Sequence, residues 1–479
     1  MIDPAQLTGL RVLVVGAARE GTAASAYLAR HGAHVRLADA QPLDALRQDV
    51  AGLATLGVVL EGGVAQPSLA DLDLVVLSPG VPPSAPLVQE ARRLGLPLSS
   101  EPRLFTQLFR GTILGVTGSS GKTTTTTLLG EMLTAAGRKT LVGGNIGLPL
   151  ISTLDGDGAS AEAAVMELSS FQLELFSPAY QGEGVESARS VASRAISLAG
   201  WSPPLSLVTN VTPNHLDRHP SMADYVRAKS AILAYQQPGD WAVLNADDPI
   251  SQELHSLVRG QLATFSLVGP VAQGAYLAGD ALVVRWAGRE AMVCRRGELR
   301  LRGEHNVANV LAACCLAAAA GVPPEAMRAV ATTFRGVPHR LEVVRVVDGV
   351  TWINDSIATS PERATAALKA FDEPVVLLAG GRDKHLPWAD WARWAAAKAR
   401  LVIGFGECAP LVEGALAALG EAAPAYRRTD RLPDAVQLAA ELARPGDVVL
   451  LSPGGTSFDA YRDFEERGEA FRQLVRSLA

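Results

Sequence analysis

Cysteine is scarce in this chain of 479 residues: only Cys294, Cys314, Cys315 and Cys408 occur, and no two have C-x-x-C spacing. That excludes a disulfide framework and a zinc knuckle, and it fits a reducing compartment such as the cytoplasm. An excess of positive charge is also missing. With 43 Lys plus Arg against 49 Asp plus Glu, the net charge is −6. No global basic field exists to hold DNA or RNA, so any anionic ligand must be gripped locally. Long apolar runs are absent too. The longest, Val307 to Val322, is broken by Asn309 and Gly321 and falls short of the ~20 residues a membrane span requires. Met1 to Leu10 carries Asp3 and Pro4 with no basic stretch before an apolar one, so no signal peptide is expected.

What is present is core-forming material: 48% hydrophobic residues, with 45 Gly and 29 Pro spread along the chain. Length alone predicts about three domains. Arg11-Val-Leu-Val-Val-Gly16 reads as a strand, followed by a helix to about Arg30 and a second strand from Ala33 to Ala38 closed by Asp39. This is a βαβ opening. A third run, Leu72 to Leu77, stops at Ser78-Pro79-Gly80, and this block is expected to end near residue 109.

A second block, expected over 110–334, opens with strand Thr112 to Val116 and a helix to about Ala136. Further strands are predicted up to Glu167, at Leu205 to Asn210 and at Trp241 to Leu244, with helices from about Asn306 to Ala320 and from Glu325. The Gly/Ser/Ala-rich stretch around 179–204 has little strand pattern and reads as an insertion or mobile loop. Gly336 and Pro338 mark a hinge. The third block, 335–479, alternates again, with strands at Val350 to Ile353, Pro374 to Leu378, Leu401 to Phe405 and Asp447 to Leu451. Three α/β units in series are expected.

Between the strand and helix that open the second block lies Gly118-Ser119-Ser120-Gly121-Lys122-Thr123-Thr124. Backbone N–H groups and a helix N-terminus can cradle phosphate oxygens there. Lys122 would reach the β- and γ-phosphates, and the Thr123 hydroxyl would hold Mg²⁺. The usual G-x-x-x-x-G-K-T needs Gly where this chain has Val116, so the loop is a shorter form. ATP or GTP binding follows, and the lack of an N-K-x-D tetrad argues against a GTPase switch.

Glu167 ends one predicted strand and His215 follows another. With Lys122 and Thr123 they would meet at the carboxyl edge of one sheet, where a two-metal phosphoryl site can form. Taken singly, Glu167 reads as a surface acid, His215 as a turn histidine and Lys229 as a solvent-facing lysine. At the front, Gly16-Ala-Ala-Arg-Glu-Gly21 lacks the middle Gly of G-x-G-x-x-G, which argues against NAD.

Nine segments occur in an order that resembles the Mur ligases, of the MurD type, over essentially the full length. They are T-G-S-S-G-K-T-T, G-G-N-I-G-L-P (Gly143 to Pro149), E-L-S-S-F-Q-L (from Glu167), N-V-T-P-N-H-L-D (from Asn210), N-A-D-D (from Asn245), G-E-H-N-V-A-N (from Gly303), P-H-R (to Arg340), N-D-S (from Asn354) and L-S-P-G (from Leu451). The resemblance implies a Rossmann-like UDP-binding domain, a central P-loop ATPase domain with a parallel sheet, and a C-terminal Rossmann-like domain that receives glutamate. It implies ATP-dependent ligation of D-glutamate to UDP-N-acetylmuramoyl-L-alanine through an acyl phosphate, a cytoplasmic step of peptidoglycan precursor synthesis, carried out by a monomer with Mg²⁺ at two sites.

Residue by residue, the resemblance places Gly118 to Thr124, Asn306, Asn309, Arg340 and Asp355 at the nucleotide. Thr123, Glu167, His215 and Lys229 go to the metals, and Lys229 falls where the family has a carbamylated lysine. Gly16, Asp39, Ser78, Asn145 and Ser169 go to the UDP-linked substrate, and Thr359, Lys384, Ser457 and Phe464 to glutamate. One departure matters. The family's D-S-K-A-T reads Asp355-Ser-Ile-Ala-Thr359 here, so Ile357 removes a cation and leaves an L-glutamate-adding enzyme as an alternative. Folylpolyglutamate synthase shares the short loop but opens with its ATPase domain. A nicotinamide dehydrogenase and a nucleotide-switched binding protein are the readings from other classes.

Overall fold

The alternating strands and helices build three β-sheets, each packed against helices. The computed structural model describes every residue except 1, 47, 189–193, 195, 216, 217, 302, 385 and 479. Leu216 and Asp217 of the N-V-T-P-N-H-L-D segment, and part of the 179–199 stretch, therefore lie outside the described residues. The chain folds as two compact units, Met1–Phe334 and Arg335–Ala479. The class is α/β.

The first sheet is wholly parallel, ordered Val59–Gly62, His34–Asp39, Arg11–Val15, Leu74–Leu77, Leu98–Ser99. Strand Arg11–Val15 is central because its three middle residues are apolar and fully buried. Chain order reverses on either side of it, and ligands of open parallel sheets collect at such a reversal.

The second sheet is also in the first unit. It runs Arg289–Arg295, Ala281–Trp286, Gly274–Ala278, Gln261–Ser266, Trp241–Asn245, Leu205–Val208, Thr112–Thr117, Ala163–Glu167, Thr140–Gly144. The strands from Gly274–Ala278 to Thr140–Gly144 are parallel, and Ala281–Trp286 and Arg289–Arg295 add an antiparallel hairpin. Sequence reading missed this hairpin for a local reason. Its turn is Ala287-Gly288, with both residues at positive φ (49° and 76°). The geometry is one usually announced by Asn-Gly or Asp-Gly, and alanine gives no such signal.

The helix Glu101–Leu108 is buried on every side, including Glu101, Arg103, Thr106 and Gln107. Leu104 and Leu108 join the core around Val12, Val14 and Leu28, whereas Phe105 and Phe109 join the core around Met166, Leu168 and Phe176. One helix thus serves two cores, which explains its apolar residues on two adjacent faces.

Described parts of the 179–199 stretch pack against the same region. The Gln181 side chain accepts from Leu98 N at 2.9 Å and donates to Leu98 O at 2.8 Å, extending the edge of the first sheet. The Gln107 amide brackets Ser197 in the same way, at 2.9 and 3.1 Å.

The third sheet, in the second unit, is ordered Glu342–Val347, Val350–Asn354, Val448–Gly454, Val375–Gly380, Ala399–Phe405, Ala425–Arg428, parallel except for its first strand. Both edge strands escaped sequence reading. They are short or half exposed, with polar residues between the apolar ones.

Candidate active site

Strand Thr112–Thr117 delivers the phosphate loop, and helix Lys122–Ala135 carries the chain away. Two glycines are obligatory. At Gly118 (φ +146°) a Cβ would lie 1.9 Å from Thr209 Oγ1, and at Gly121 (φ +81°) it would lie 2.2 Å from Asn309 Oδ1. The loop is tied to the end of the neighbouring strand: Ser120 N donates to Asn210 Oδ1 at 3.0 Å, and Ser119 Oγ donates to Thr212 O at 2.9 Å. Thr123 and Thr124 follow in the first helical turn, both buried. Asn306 and Asn309 lie one turn apart on helix Glu304–Ala319, joined by a 3.1 Å amide hydrogen bond, and Asn309 abuts Gly121. The spacing of three therefore does put both amides on one face beside the loop.

Glu167 lies opposite Val116 on one neighbouring strand and opposite Gly144 on the other. It is not the surface acid that its position at a strand end suggested; its exposure is 2%. Its Oε2 accepts from Thr123 Oγ1 at 2.8 Å and its Oε1 from Asn145 Nδ2 at 2.8 Å. Hydroxyl and carboxylate oxygens side by side are hard donors of the kind Mg²⁺ takes. Among the described residues no three His, Cys, Asp or Glu side chains converge into a metal cage of their own.

Lys229 also corrects its isolated reading, because it is buried at 2% exposure on helix Met222–Ser230. Its Nζ donates to Gly118 O at 2.8 Å, and Lys122 Nζ donates to the same carbonyl at 2.9 Å. Burial drives the Lys229 amine well below the usual lysine range; Lys122 pushes the same way and Glu167 opposes. The Tyr225 ring covers its Nζ at 4.6 Å, and the same ring lies 6.5 Å from that of His215. His215 has φ +55°, a left-handed turn conformation that aims the ring back at Phe171, 5.2 Å away. His219 escaped sequence reading; it is buried, 2.9 Å from Ser170 Oγ, and burial lowers its pKa.

Gly16, Asp39, Ser78 and Asn145 line one cleft of about 600 Å³ at the reversal point of the first sheet. Asp39 Oδ2 accepts from Ala17 N at 2.7 Å, and Ser78 Oγ donates to Gly16 O at 2.8 Å, so both side chains also fix the Gly16 turn. Ser169 is not in that lining; it caps helix Ser170–Glu174, accepting from Gln172 N at 3.2 Å. The cleft wall includes Glu20, whose Oε1 accepts from Gln172 Nε2 at 2.7 Å. Burial first, then Glu101, pushes the Glu20 carboxyl up.

The second unit gathers Arg340, Asp355, Thr359, Lys384, Ser457 and Phe464. Asp355 is buried and accepts from Ser452 Oγ at 2.9 Å and Leu341 N at 3.2 Å; burial pushes its carboxyl up to about 7 against these bonds and against Arg340 and Arg363. Lys384 Nζ donates to Thr359 Oγ1 at 3.4 Å. Phe464 opens helix Phe464–Arg476, and its carbonyl accepts from Ser356 Oγ at 2.8 Å. Arg467, three residues on, was missed and is fully buried. It donates to Ser356 Oγ at 3.0 Å, Ser356 O at 2.9 Å, Thr456 O at 3.0 Å and Gly455 O at 3.2 Å, clamping the loops that carry Thr359 and Ser457. Its only sequence signal is the i, i+3 spacing from Phe464.

This arrangement, a short phosphate loop with a buried acid and lysine beside a Rossmann-like cleft, defines a nucleotide-using α/β enzyme. Three family models match: "Mur ligase MurD-like, N-terminal domain" over residues 10–100, "Mur ligase middle domain" over 116–181 and 186–317, and "Mur ligase, glutamate ligase domain" over 339–455. The chain belongs to the Mur ligase family. It is 45% identical to the UDP-N-acetylmuramoylalanine–D-glutamate ligase of Symbiobacterium thermophilum, with 98% of each chain covered. It is 41% identical to the ligase of the same name from Pelotomaculum thermopropionicum, again over 98% of each. In fold it is similar to the crystal structure of UDP-N-acetylmuramate-alanine ligase MurC from Thermotoga maritima, with TM-score 0.56, 20% identity, and 98% of this chain and 99% of that one covered. It is also similar to MurF from Acinetobacter baumannii, with TM-score 0.55, 18% identity, and 100% of this chain and 93% of that one covered.

Proposed function

We propose that the chain ligates D-glutamate to UDP-N-acetylmuramoyl-L-alanine using ATP, a step of peptidoglycan precursor synthesis in the cytoplasm, and that it acts as a monomer. The observation that carries this reading is the hydrogen-bonded row Thr123–Glu167–Asn145. It connects the phosphate loop to the substrate cleft, as direct transfer between a nucleotide and a second substrate requires. The names of the relatives support D-glutamate. Among the described residues no helix is long and apolar enough to cross a membrane.

In this reading residues 1–109 bind the UDP-linked substrate through Gly16, Asp39 and Ser78, 110–334 bind ATP, and 335–479 bind glutamate through Thr359, Lys384, Ser457 and Phe464. The alanyl carboxylate attacks the γ-phosphorus of ATP, the bond to the bridging oxygen breaks, and ADP leaves. The glutamate amine then attacks the acyl phosphate; the C–O bond breaks, phosphate leaves, and the amine gives up a proton. Lys122 and the loop N–H groups hold the phosphate charge, and Asn306, Asn309, Arg340 and Asp355 position the nucleotide. Thr123, Glu167, His215 and Lys229 would hold Mg²⁺, which supplies charge neutralisation when bound. Lys229 would do so as a carbamate, formed when its neutral amine adds to CO₂ and releases a proton.

The test is phosphate release by the full chain with UDP-N-acetylmuramoyl-L-alanine, ATP and Mg²⁺, comparing D-glutamate, L-glutamate and neither. Release dependent on D-glutamate is expected. No stimulation by either enantiomer refutes the ligase, and a preference for L-glutamate refutes only the stereochemistry.

A further inference from the structure

Ile357 takes a cation away from the second unit, but the next helix brings one back. Helix Pro361–Leu368 begins directly after Thr359 and Ser360, and Arg363 lies in its first turn. The guanidinium folds back toward the preceding loop, with Nη1 3.5 Å from the Ile357 carbonyl oxygen. It therefore reaches the backbone of the position where the family pattern has lysine. Lys384 approaches the same loop at Thr359 Oγ1, 3.4 Å away, and makes no ion pair among the described residues. Arg363 is close enough to Lys384 to disfavour the ammonium charge, and close enough to Asp355 to favour the carboxylate.

Two cations beside one loop at the positive end of a helix attract an anion from solution. Both side chains are exposed, so an anion in solution can reach them. A planar guanidinium also offers a carboxylate two parallel hydrogen bonds, which a lysine cannot. We propose that Arg363 substitutes for the missing lysine and, together with Lys384, grips a carboxylate of the incoming dicarboxylic amino acid, making it a specificity residue. This inference rests on the ligase reading above.

The experiment uses initial rates of the full chain, varying each substrate in turn, for wild type, Arg363→Ala, Ile357→Lys, and the two changes together. Arg363→Ala is expected to raise KM for D-glutamate about ten- to a hundredfold. KM for ATP and for the UDP-linked substrate should stay within about twofold, as expected for a contact made only to the amino acid. Adding Ile357→Lys should restore most of the glutamate affinity. An unchanged glutamate KM in an active protein overturns the inference alone, as does a rise that Ile357→Lys leaves untouched. A wild-type protein that releases no phosphate with either glutamate overturns the ligase reading, and this inference with it.

Discussion

The phosphate loop of the first unit and the loop cluster of the second hold their cations in opposite ways. Lys122 and Lys229 share the Gly118 carbonyl, and Lys229 is sealed in at 2% exposure. In the second unit the buried groups, Asp355 and Arg467, brace the loops, while Lys384 and Arg363 stand in solvent. The first arrangement suits charges that must keep one geometry while a phosphoryl group moves. The second suits a carboxylate that must arrive and leave, because exposed cations stay solvated without it.

The sharpest way to break this comparison is Lys229→Ala. If the buried lysine carries a metal-holding carbamate, activity should fall about 10²- to 10³-fold. A short-chain carboxylic acid should then restore part of it, as read by phosphate release. Full activity without rescue would reduce Lys229 to a packing residue.

Arg467→Ala tests the bracing role in the second unit. It would leave the Ser356, Gly455 and Thr456 carbonyls without their buried donor. A loss of about 3 kcal/mol is expected, seen as a lower denaturation midpoint of the full chain. An unchanged midpoint would mean that the loops hold without it.

Asp355→Asn is expected to have an effect that depends on pH, small where the wild-type carboxyl is protonated. The folded carboxyl, near 7, lies above its ordinary 3.8, so its contribution to stability is fully present below 3.8 and is lost as pH rises through 7. Asparagine keeps the shape and can still bond Ser452 and Leu341. It should flatten the decline across that window by about 4 kcal/mol, measured by thermal unfolding at several pH values. Parallel pH profiles for the two proteins would show that Asp355 does not titrate there.

Much of the first site was legible because its chemistry is local. Gly118 to Thr124 is one turn between one strand and one helix, and the glycines are needed wherever that turn forms. The shared face of Asn306 and Asn309 was legible for the same reason, since helical spacing aligns them, while their place at the nucleotide came from the family resemblance. Glu167 was legible as a member of a motif and Lys229 only through the family resemblance, and neither as a buried group, because burial depends on strands and helices distant in sequence. Arg467 and Arg363 left almost no signal. Arg467 acts through Ser356, 111 residues away, and Arg363 through the conformation of its side chain, which bends back to the Ile357 carbonyl six residues earlier.

The sequence by itself determined the α/β class, the phosphate loop and the family, since periodicity, glycine placement and motif order are properties of the chain. Only the tertiary structure decided that a strand-end acid bridges the nucleotide loop to the substrate cleft, and which lysine is sealed away. Those outcomes depend on dielectric environment and on distances between residues far apart in the chain, which local pattern does not encode.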